Sequence, residues 1–416
     1  MRMLRAKKVE MVAAAAACVL ALGRGGLLAA DAAPAAAGKP GGGDGSGASA
    51  GPASVAPPSE HEVLFRGRRI PSLVVSKKGT VLAFCSIGDN HPGNGVVRRS
   101  EDGGRTWGKT IAVTPADKRM QYASLSVVSD RQTGTIWCFY NKSTRRWDAE
   151  TPPIWFTYSE DDGLTWKEPA RPYDDTERFG KDLPPLRAVQ GRGIHLKNGR
   201  LLANCYRIDK NPNEPIYKGL SYVGPSYLYS DDHGKTWRLS KPVPRRPYHL
   251  ALEFATLELM DGTVYWNARG EGPGARLTAL SRDGGVTWEA RTPVGMKTGM
   301  EAGEFLGHAH SGLIRLTDER QHDRNRVLFS CDQPVPKGHG LRIWLSYDEC
   351  KNWQKSKLAK EGHAGYSDLA VLPDMSVGCL YESNKPSWCS ILFTRFTLEW
   401  LTDGEDKIDV TKFKKK

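Results

Sequence analysis

Cysteine is scarce and scattered in this sequence. Eight cysteines occur among 416 residues, and no two of them form a Cys-x-x-Cys pair. One, Cys18, falls in an N-terminal segment that we expect to be removed, which leaves seven. An odd count argues against a complete disulfide framework, and the spacings match no structural zinc site. We therefore expect most cysteines to be small buried apolar residues, and we expect neither a metal nor a cofactor.

Long apolar runs are missing as well. The apolar run of residues 11–22 is too short to span a bilayer comfortably. It follows a basic start at residues 2–8 and precedes small residues such as Leu28-Ala-Ala30, which is typical of a secretory signal peptide. Residues 1–30 are therefore predicted to be a signal peptide. We expect a secreted or periplasmic protein with no stable membrane insertion after cleavage; an uncleaved anchor is the alternative.

The sequence also lacks helix-turn-helix, zinc-finger and RNA-binding motifs, although its formal net charge is +12. Part of that charge lies at the two ends of the chain. A basic balance suits an acidic glycan or an anionic surface, and a solvated basic surface is the plainest interpretation. We expect no nucleic acid as a partner.

No long amphipathic helix is predicted. Short runs of β-branched and aromatic residues alternate instead with Gly, Asp and Asn turns, for example at 136–140 and 201–206. Ahead of them, Ala, Gly, Pro and Ser make up almost the whole of one stretch, which cannot bury a core. We predict a disordered linker over 31–60, a β domain over 61–404 and a basic tail over 405–416.

One short motif recurs, Ser-x-Asp-x-Gly-x-Thr-Trp. Its Asp accepts N–H bonds and holds a tight turn, its Gly supplies a positive φ, and its Trp packs between neighbouring sheets. We therefore assign these motifs, called Asp-boxes, a structural role. They begin at Ser100, Ser159, Ser230 and Ser281, and in a degenerate form, with Cys350 and Asn352 in place of Gly and Thr, at Ser346.

The Asp-boxes predict the blades of a β-propeller. Their starts lie 59, 71, 51 and 65 residues apart by subtraction of those positions, a spacing that suits four-stranded blades. Five boxes do not fix the number of blades. The stretch from Gly378 to Leu401 offers further strands, and pairing of the two ends of the domain would hide the edge strands.

Two features in the first part of the domain resemble exo-α-sialidases. Arg69-Ile70-Pro71 is similar to the family's Arg-Ile-Pro motif, whose arginine belongs to a triad that clamps the sialic acid carboxylate; a guanidinium forms paired bonds to two oxygens. Asp89, in a Gly-rich loop, resembles the family's acid/base. The alternatives are a surface arginine and an Asp that stabilises the loop.

Glu253 and Arg269 continue the resemblance. The stretch between them looks like the sialidase segment that runs from a catalytic Glu to the second arginine of the triad. Asp261-Gly262 is predicted to form the turn of a hairpin, which would bring both side chains to one end of the sheet. Glu258 is the competing carboxylate.

Tyr366 lies in a Tyr-Ser-Asp-Leu segment that is followed by Leu380-Tyr-Glu382. This resembles the ending of the sialidase domain, in which the first Tyr is the nucleophile. A neutral phenol avoids repulsion from the substrate carboxylate, and a neighbouring Glu takes its proton. We expect Tyr381 to be a packing residue.

The third arginine of the triad is where the resemblance fails. The family places it ahead of the strand that enters the last Asp-box, and residues 332–340 contain no arginine. Lys337 and Arg342 are the candidates for the third cation, and Arg326 is a more remote one. A lysine would lose the two-pronged geometry.

Taken over residues 65–401, the resemblance implies an all-β, six-bladed β-propeller with Asp-box repeats. It also implies a retaining exo-α-sialidase that removes terminal sialic acids from glycoconjugates through a tyrosyl intermediate. The alternatives are a related glycoside hydrolase for another acidic sugar and a non-catalytic glycan-binding propeller. In each case the partners are sialylated glycans or other acidic glycoconjugates.

Overall fold

Six β-sheets follow one another around a ring in the computed structural model, which confirms the six-bladed β-propeller. The structure describes residues 58–87, 93–117, 119–143, 154–208, 222–244, 253–269, 276–290, 309–335, 338–384 and 389–409. The predicted signal peptide and nearly all of the predicted linker lie outside these residues. In the described part of the chain, no helix is long and apolar enough to cross a membrane.

The first blade is one continuous segment of the chain, whereas the second and third exchange short strands. In the second blade, β10 lies parallel to the inner strand, and in the third, β9 adds to the second strand. From the centre outwards, the strands are β2 (Arg69–Val75), β3 (Val81–Ser86), β4 (Val96–Ser100) and β5 (Ile111–Ala112); β10 (Gly191–Arg192), β6 (Gln121–Ser129), β7 (Ile136–Ser143) and β8 (Ile154–Ser159); and β11 (Ile194–His195), β12 (Leu201–Ile208), β13 (Tyr222–Ser230) and β14 (Arg238–Leu239), with β9 (Leu186–Ala188).

The last three blades are regular antiparallel sheets. The sixth takes its outer strand, β1, from the start of the domain, so the two ends of the fold close the ring as the sequence predicted. Their strands are β15 (Phe254–Glu258), β16 (Val264–Arg269), β17 (Arg276–Ser281) and β18 (Glu289–Ala290); β19 (Leu313–Thr317), β20 (Arg326–Val335), β21 (Gly338–Ser346) and β22 (Lys355–Lys360); and β23 (Ser367–Val371), β24 (Val377–Ser383), β25 (Ser390–Phe396) and β1 (Glu62–Arg66). Two four-residue helices are α1 (Thr176–Phe179) and α2 (Leu398–Leu401).

Each Asp-box forms the predicted turn, at the end of β4, β8, β13, β17 or β21. In the first, Asp102 Oδ1 accepts from the Thr106 N–H at 2.9 Å, and Ser100 Oγ accepts from the Gly104 N–H at 2.7 Å. The degenerate fifth box keeps this pattern. Its Cys350 takes the glycine's positive φ, at 63°, and the Asn352 side-chain amide donates to the box aspartate in place of the threonine hydroxyl.

The Asp-box turns and the ends of the blades that carry the candidate catalytic residues lie on opposite sides of the propeller. In an antiparallel blade, the first strand starts and the second strand ends on one side, whereas the third strand ends on the other. Arg69 starts a first strand and Arg269 ends a second strand, while the boxes follow third strands. The prediction that the boxes lie away from the mouth is therefore confirmed.

The apolar core lies between neighbouring blades. Box tryptophans fill it as predicted: Trp107 of the first blade packs edge-on against Phe393 of the sixth, and Trp288 of the fourth stacks on Tyr227 of the third. None of the seven cysteines in the described part of the chain forms a disulfide bond, and five of them are buried. These cysteines therefore act as small apolar residues, as expected.

Candidate active site

Tyr366 and Glu253 meet although 113 positions separate them in the sequence. Tyr366 directly precedes β23 of the sixth blade, and Glu253 directly precedes β15 of the fourth. The Tyr366 hydroxyl donates to Glu253 Oε1 in a very short hydrogen bond. A phenol and a carboxylate in this contact form the pair that nucleophilic catalysis requires.

Arg269 completes the hairpin that the sequence predicted. Its backbone N–H donates to the Glu253 carbonyl at 2.8 Å, and its Nη1 donates to Glu253 Oε2 at 3.1 Å. Glu253 is therefore held by Tyr366 through one oxygen and by Arg269 through the other. The competing carboxylate, Glu258, lies at the other end of β15, where it accepts from the Lys197 N–H.

Arg69 reaches the same place from the first blade. Its guanidinium carbon lies over the Tyr366 ring, 5.3 Å from the centroid. The carboxylate of Glu382 holds Arg69 with two bonds, Nε to Oε1 at 3.2 Å and Nη2 to Oε2 at 3.1 Å. The structure thus brings Arg69, Arg269, Glu253 and Tyr366 together around one point.

A backbone irregularity sets the direction of Arg69. The pairing of β2 with β3 shifts register after Arg69, and Ile70 adopts φ = 64°, which a β-branched residue resists. The Ile70 N–H donates to Glu382 Oε1 at 2.6 Å, so the carboxylate that binds the guanidinium also stabilises the bulge. Sequence reasoning assigned no role to Glu382, although it ends the Leu-Tyr-Glu segment.

Burial sets the electrostatics of the Tyr366–Glu253 pair. Desolvation raises the pKa of Glu253, while Arg269 and the hydrogen bond from Tyr366 oppose that rise. Desolvation and the neighbouring Glu253 raise the pKa of Tyr366 well above its usual range. The phenol therefore stays protonated at neutral pH, and the carboxylate is a stronger base than a solvated one.

Backbone hydrogen bonds fix the segment that carries Tyr366. Gly365 N–H donates to the Glu382 carbonyl at 3.0 Å, and Glu382 N–H donates to the Tyr366 carbonyl at 2.8 Å. On the following residue, Ser367 N–H donates to the His310 carbonyl at 3.1 Å. The fifth and sixth blades together therefore hold the tyrosine, and sequence reasoning did not predict the contact with His310.

Arg342 does not join the other predicted substrate ligands. Its Nη1 donates to Ser356 Oγ on the outer strand β22 at 3.1 Å, and its guanidinium lies over Trp344. This placement corrects the expectation that Arg342 reaches the pocket: on β21, its side chain is directed outward. Arg326 is fully buried between Asp406 and Asp323, which excludes it as a substrate ligand.

Three other expectations concern residues beyond the central group. Tyr381 is buried in the core and hydrogen-bonded through its hydroxyl to His61 Nδ1 at 2.8 Å, in agreement with a packing role. Asp89 and Lys337 lie outside the described residues. Across the described ranges, no group of three or more His, Cys, Asp or Glu side chains could hold a metal ion.

The arrangement combines a protonated nucleophile with a buried base beside two arginines. The carboxylate of Glu253 accepts the phenol's hydrogen bond, so it is placed to take that proton when the oxygen attacks an electrophile. Arg69 and Arg269 supply positive charge next to the attack site, which suits an anionic substrate. The chemistry available is nucleophilic displacement at a carbon that bears or adjoins a negative group.

Sequence comparison identifies relatives of this chain. Residues 95–379 match the family model described as BNR repeat-like domain. The chain is 30% identical to a sialidase from Micromonospora viridifaciens over 81% of its own length and 52% of that protein, so it spans about half of this relative. It is also 30% identical to a sialidase from Clostridium perfringens, over 76% of its own length and 86% of that protein.

Structural comparison supports the fold. The Hadza microbial sialidase superimposes with a TM-score of 0.65 at 24% identity, over 80% of this chain and 66% of that one. At this level of identity, the superposition shows a shared propeller.

Proposed function

Because the chain belongs to the sialidase family of BNR-repeat propellers, we propose that it is a retaining exo-α-sialidase. Its substrates would be terminal sialic acids on glycoconjugates. We also propose that it is exported by the segment 1–30 and acts on glycans outside the cytoplasm. N-terminal sequencing of the mature protein tests this export, and a start at Met1 would contradict it.

The proposed roles follow from charge and position for the described residues, and from the resemblance to sialidases for Asp89. Tyr366 is the nucleophile, Glu253 is its base, and Asp89 is the acid and later the base for water. Arg69 and Arg269 bind the substrate carboxylate, since charge-assisted bonds from guanidinium groups are strong and directional. A neutral phenol suits this substrate because an anionic nucleophile would be repelled by a carboxylate on the reacting carbon.

The first displacement forms a bond between the Tyr366 oxygen and the anomeric carbon. The phenolic proton passes to Glu253, the glycosidic bond breaks, and Asp89 gives its proton to the leaving oxygen. In the second displacement, Asp89 takes a proton from water, and the water oxygen attacks the anomeric carbon. The tyrosyl bond breaks, and Glu253 returns its proton to the phenolate. Two inversions give overall retention.

The contact between Tyr366 and Glu253 is the observation that carries this proposal. A non-catalytic glycan-binding propeller has no use for a buried carboxylate hydrogen-bonded to a phenol, because such a pair has a desolvation cost. The outward placement of Arg342 favours a second candidate in the same class, a hydrolase for another acidic sugar with a less demanding carboxylate site.

Turnover of fluorogenic sugars by the purified protein tests both candidates. The proposal expects hydrolysis of the α-sialoside, loss of most turnover in Tyr366→Phe, and near-normal turnover in the control Tyr381→Phe, whose hydroxyl contacts His61 instead. Hydrolysis of another ulosonic acid glycoside but not the sialoside would select the second candidate. A lack of turnover of either sugar would contradict the hydrolase assignment.

A further inference from the structure

His310 packs against the ring of Tyr366. The two ring centroids lie 6.2 Å apart at an interplanar angle of 63°, an edge-to-face arrangement. His310 is 2% exposed, and a Cβ placed on Gly191 would lie 2.5 Å from its imidazole, so the ring occupies the space that a side chain at position 191 would need. The face of the phenol is covered by Arg69. The tyrosine ring is therefore bounded by Arg69 and His310.

Polar contacts fix the segment that carries His310. Ala309 N–H donates to Asp332 Oδ1 at 2.9 Å, and the Ala309 carbonyl accepts from Arg276 Nη1 at 3.1 Å. The His310 carbonyl accepts from the Ser367 N–H, one residue beyond the nucleophile. His310 is thus attached to the nucleophile's own strand through its backbone as well as through its ring.

The surroundings of His310 disfavour a positive charge on it. Burial and the cation of Arg276 lower the pKa of His310 to about 3. Its Nδ1 is buried and has no hydrogen-bond partner among the described residues. Arg276 and Asp332 lie near it, since both bond the backbone of the neighbouring Ala309. Asp368 follows Ser367, whose N–H bonds the His310 carbonyl, and Arg192 follows Gly191, against which the imidazole packs.

We propose that His310 is a positioning residue that holds the Tyr366 side chain in place for attack, and that burial together with Arg276 keeps this histidine uncharged. The inference rests on the proposed function. An attacking oxygen must stay aligned with both Glu253 and the anomeric carbon, and rotation of the side chain about its Cα–Cβ bond would swing the oxygen out of that alignment. A protonated imidazole would need an acceptor for Nδ1, which the described residues do not offer, and would shift the ring contact.

The first experiment separates positioning from substrate binding. His310→Ala should lower kcat by about 10- to 100-fold and leave KM within about twofold, because misplacement of a reacting group affects the chemical step. His310→Phe should recover most of that loss, since it restores a neutral ring. His61→Ala is the matched control: His61 makes a comparable edge-on contact, with centroids 5.7 Å apart, to the non-catalytic Tyr381. It should keep wild-type kcat.

The second experiment tests the role of Arg276 through the pH dependence of kcat. Arg276→Gln should raise the pH at which kcat falls on the acidic side, because His310 then accepts a proton. Arg276→Lys keeps the charge and should keep the wild-type profile. The double variant Arg276→Gln/His310→Phe should lose the shift; a shift that persists would arise from Glu253 and would overturn the role given to Arg276.

The outcomes separate this inference from the proposed function. If the wild-type protein hydrolyses the sialoside and His310→Ala has the same kcat, the inference fails and the sialidase proposal stands. If the wild-type protein hydrolyses no sialoside, the proposed function fails. In that case a crystal structure of His310→Ala decides the inference, which predicts that the Tyr366 hydroxyl no longer bonds Glu253 Oε1. A Tyr366 hydroxyl that still bonds Glu253 would contradict the inference. If His310→Ala does not fold, a His310→Phe variant that folds but has reduced kcat would contradict it as well.

Discussion

Glu382→Gln should weaken the arginine site while preserving its shape. The glutamine oxygen would still accept from the Ile70 N–H, but the amide nitrogen would face a guanidinium nitrogen of Arg69 in place of a carboxylate oxygen. Glu382 is buried and Arg69 is only about a quarter exposed, at 27%, so solvent compensates little. A hydrogen bond that involves a charged group adds about 1.5–3 kcal/mol to the free energy of unfolding. A similar loss of stability is expected here.

Part of that loss should appear in substrate binding. If about 1.4 kcal/mol of it falls on the placement of Arg69 in the complex, kcat/KM for a sialoside drops about tenfold. We expect this drop mainly in KM, because a ligand to the substrate carboxylate acts in the ground state as well. Steady-state kinetics with a fluorogenic sialoside measure it, and thermal denaturation measures the accompanying loss of stability.

Glu349→Gln is the matched control for this substitution. Glu349 also holds an arginine through two bonds, from Arg315 at 2.7 and 2.6 Å, and also accepts from a backbone N–H, that of Met260. It lies in the fifth Asp-box, on the side away from the site. It should lose similar stability and keep its kinetics. Unchanged KM and kcat in Glu382→Gln, or equal kinetic losses in the two variants, would refute the reasoning.

Three further predictions concern pH and the turns. Because burial raises the pKa of Glu253, the acidic limb of kcat/KM should lie above the ordinary carboxyl range of about 4.3 and should disappear in Glu253→Gln, whose residual turnover should be nearly independent of acidic pH. Burial raises the pKa of Asp368 from 3.8 to about 6, so the folded protein holds that proton to a higher pH than the unfolded chain does. Stability from this group should therefore fall as pH rises from about 4 to 6, and Asp368→Asn should flatten the melting temperature over that window; an unchanged slope would contradict the assignment. Gly234→Ala would place a Cβ 2.2 Å from Trp137 at φ = 86°, whereas Gly262→Ala has φ = 85° and open space. Thermal denaturation should show the larger loss of stability for Gly234→Ala. Equal losses would show that the positive φ, and not the contact with Trp137, sets the cost.

The parts of the fold that depend on local sequence could be predicted from it. An Asp-box joins residues two and four positions apart, so its letters specify its turn, and the degenerate copy at Ser346 keeps the turn because Asn352 replaces the lost hydroxyl. The hairpin of Glu253 and Arg269 was predictable for the same reason, since a short turn connects its strands. The resemblance supplied the number of blades.

Contacts across the ring could not be predicted from the sequence without the fold. Glu382 and Arg69 are 313 positions apart, and no local pattern assigns a carboxylate of β24 to a bulge in β2. The same holds for His310, whose role depends on a neighbouring blade. Arg342 shows the converse: it is close in sequence to the expected third arginine, but its side chain lies along a face of the fifth blade, where it donates to Ser356 of β22.

The central claim is that Tyr366 is the nucleophile, and covalent trapping tests it most directly. A fluorinated sialic acid with a good leaving group forms the intermediate and slows its hydrolysis, so mass spectrometry of a peptide digest locates the label. We expect one sugar adduct on Tyr366 in the wild-type protein, no adduct in Tyr366→Phe, and a normal adduct in Tyr381→Phe. An adduct on any other residue, or full labelling of Tyr366→Phe, would contradict it.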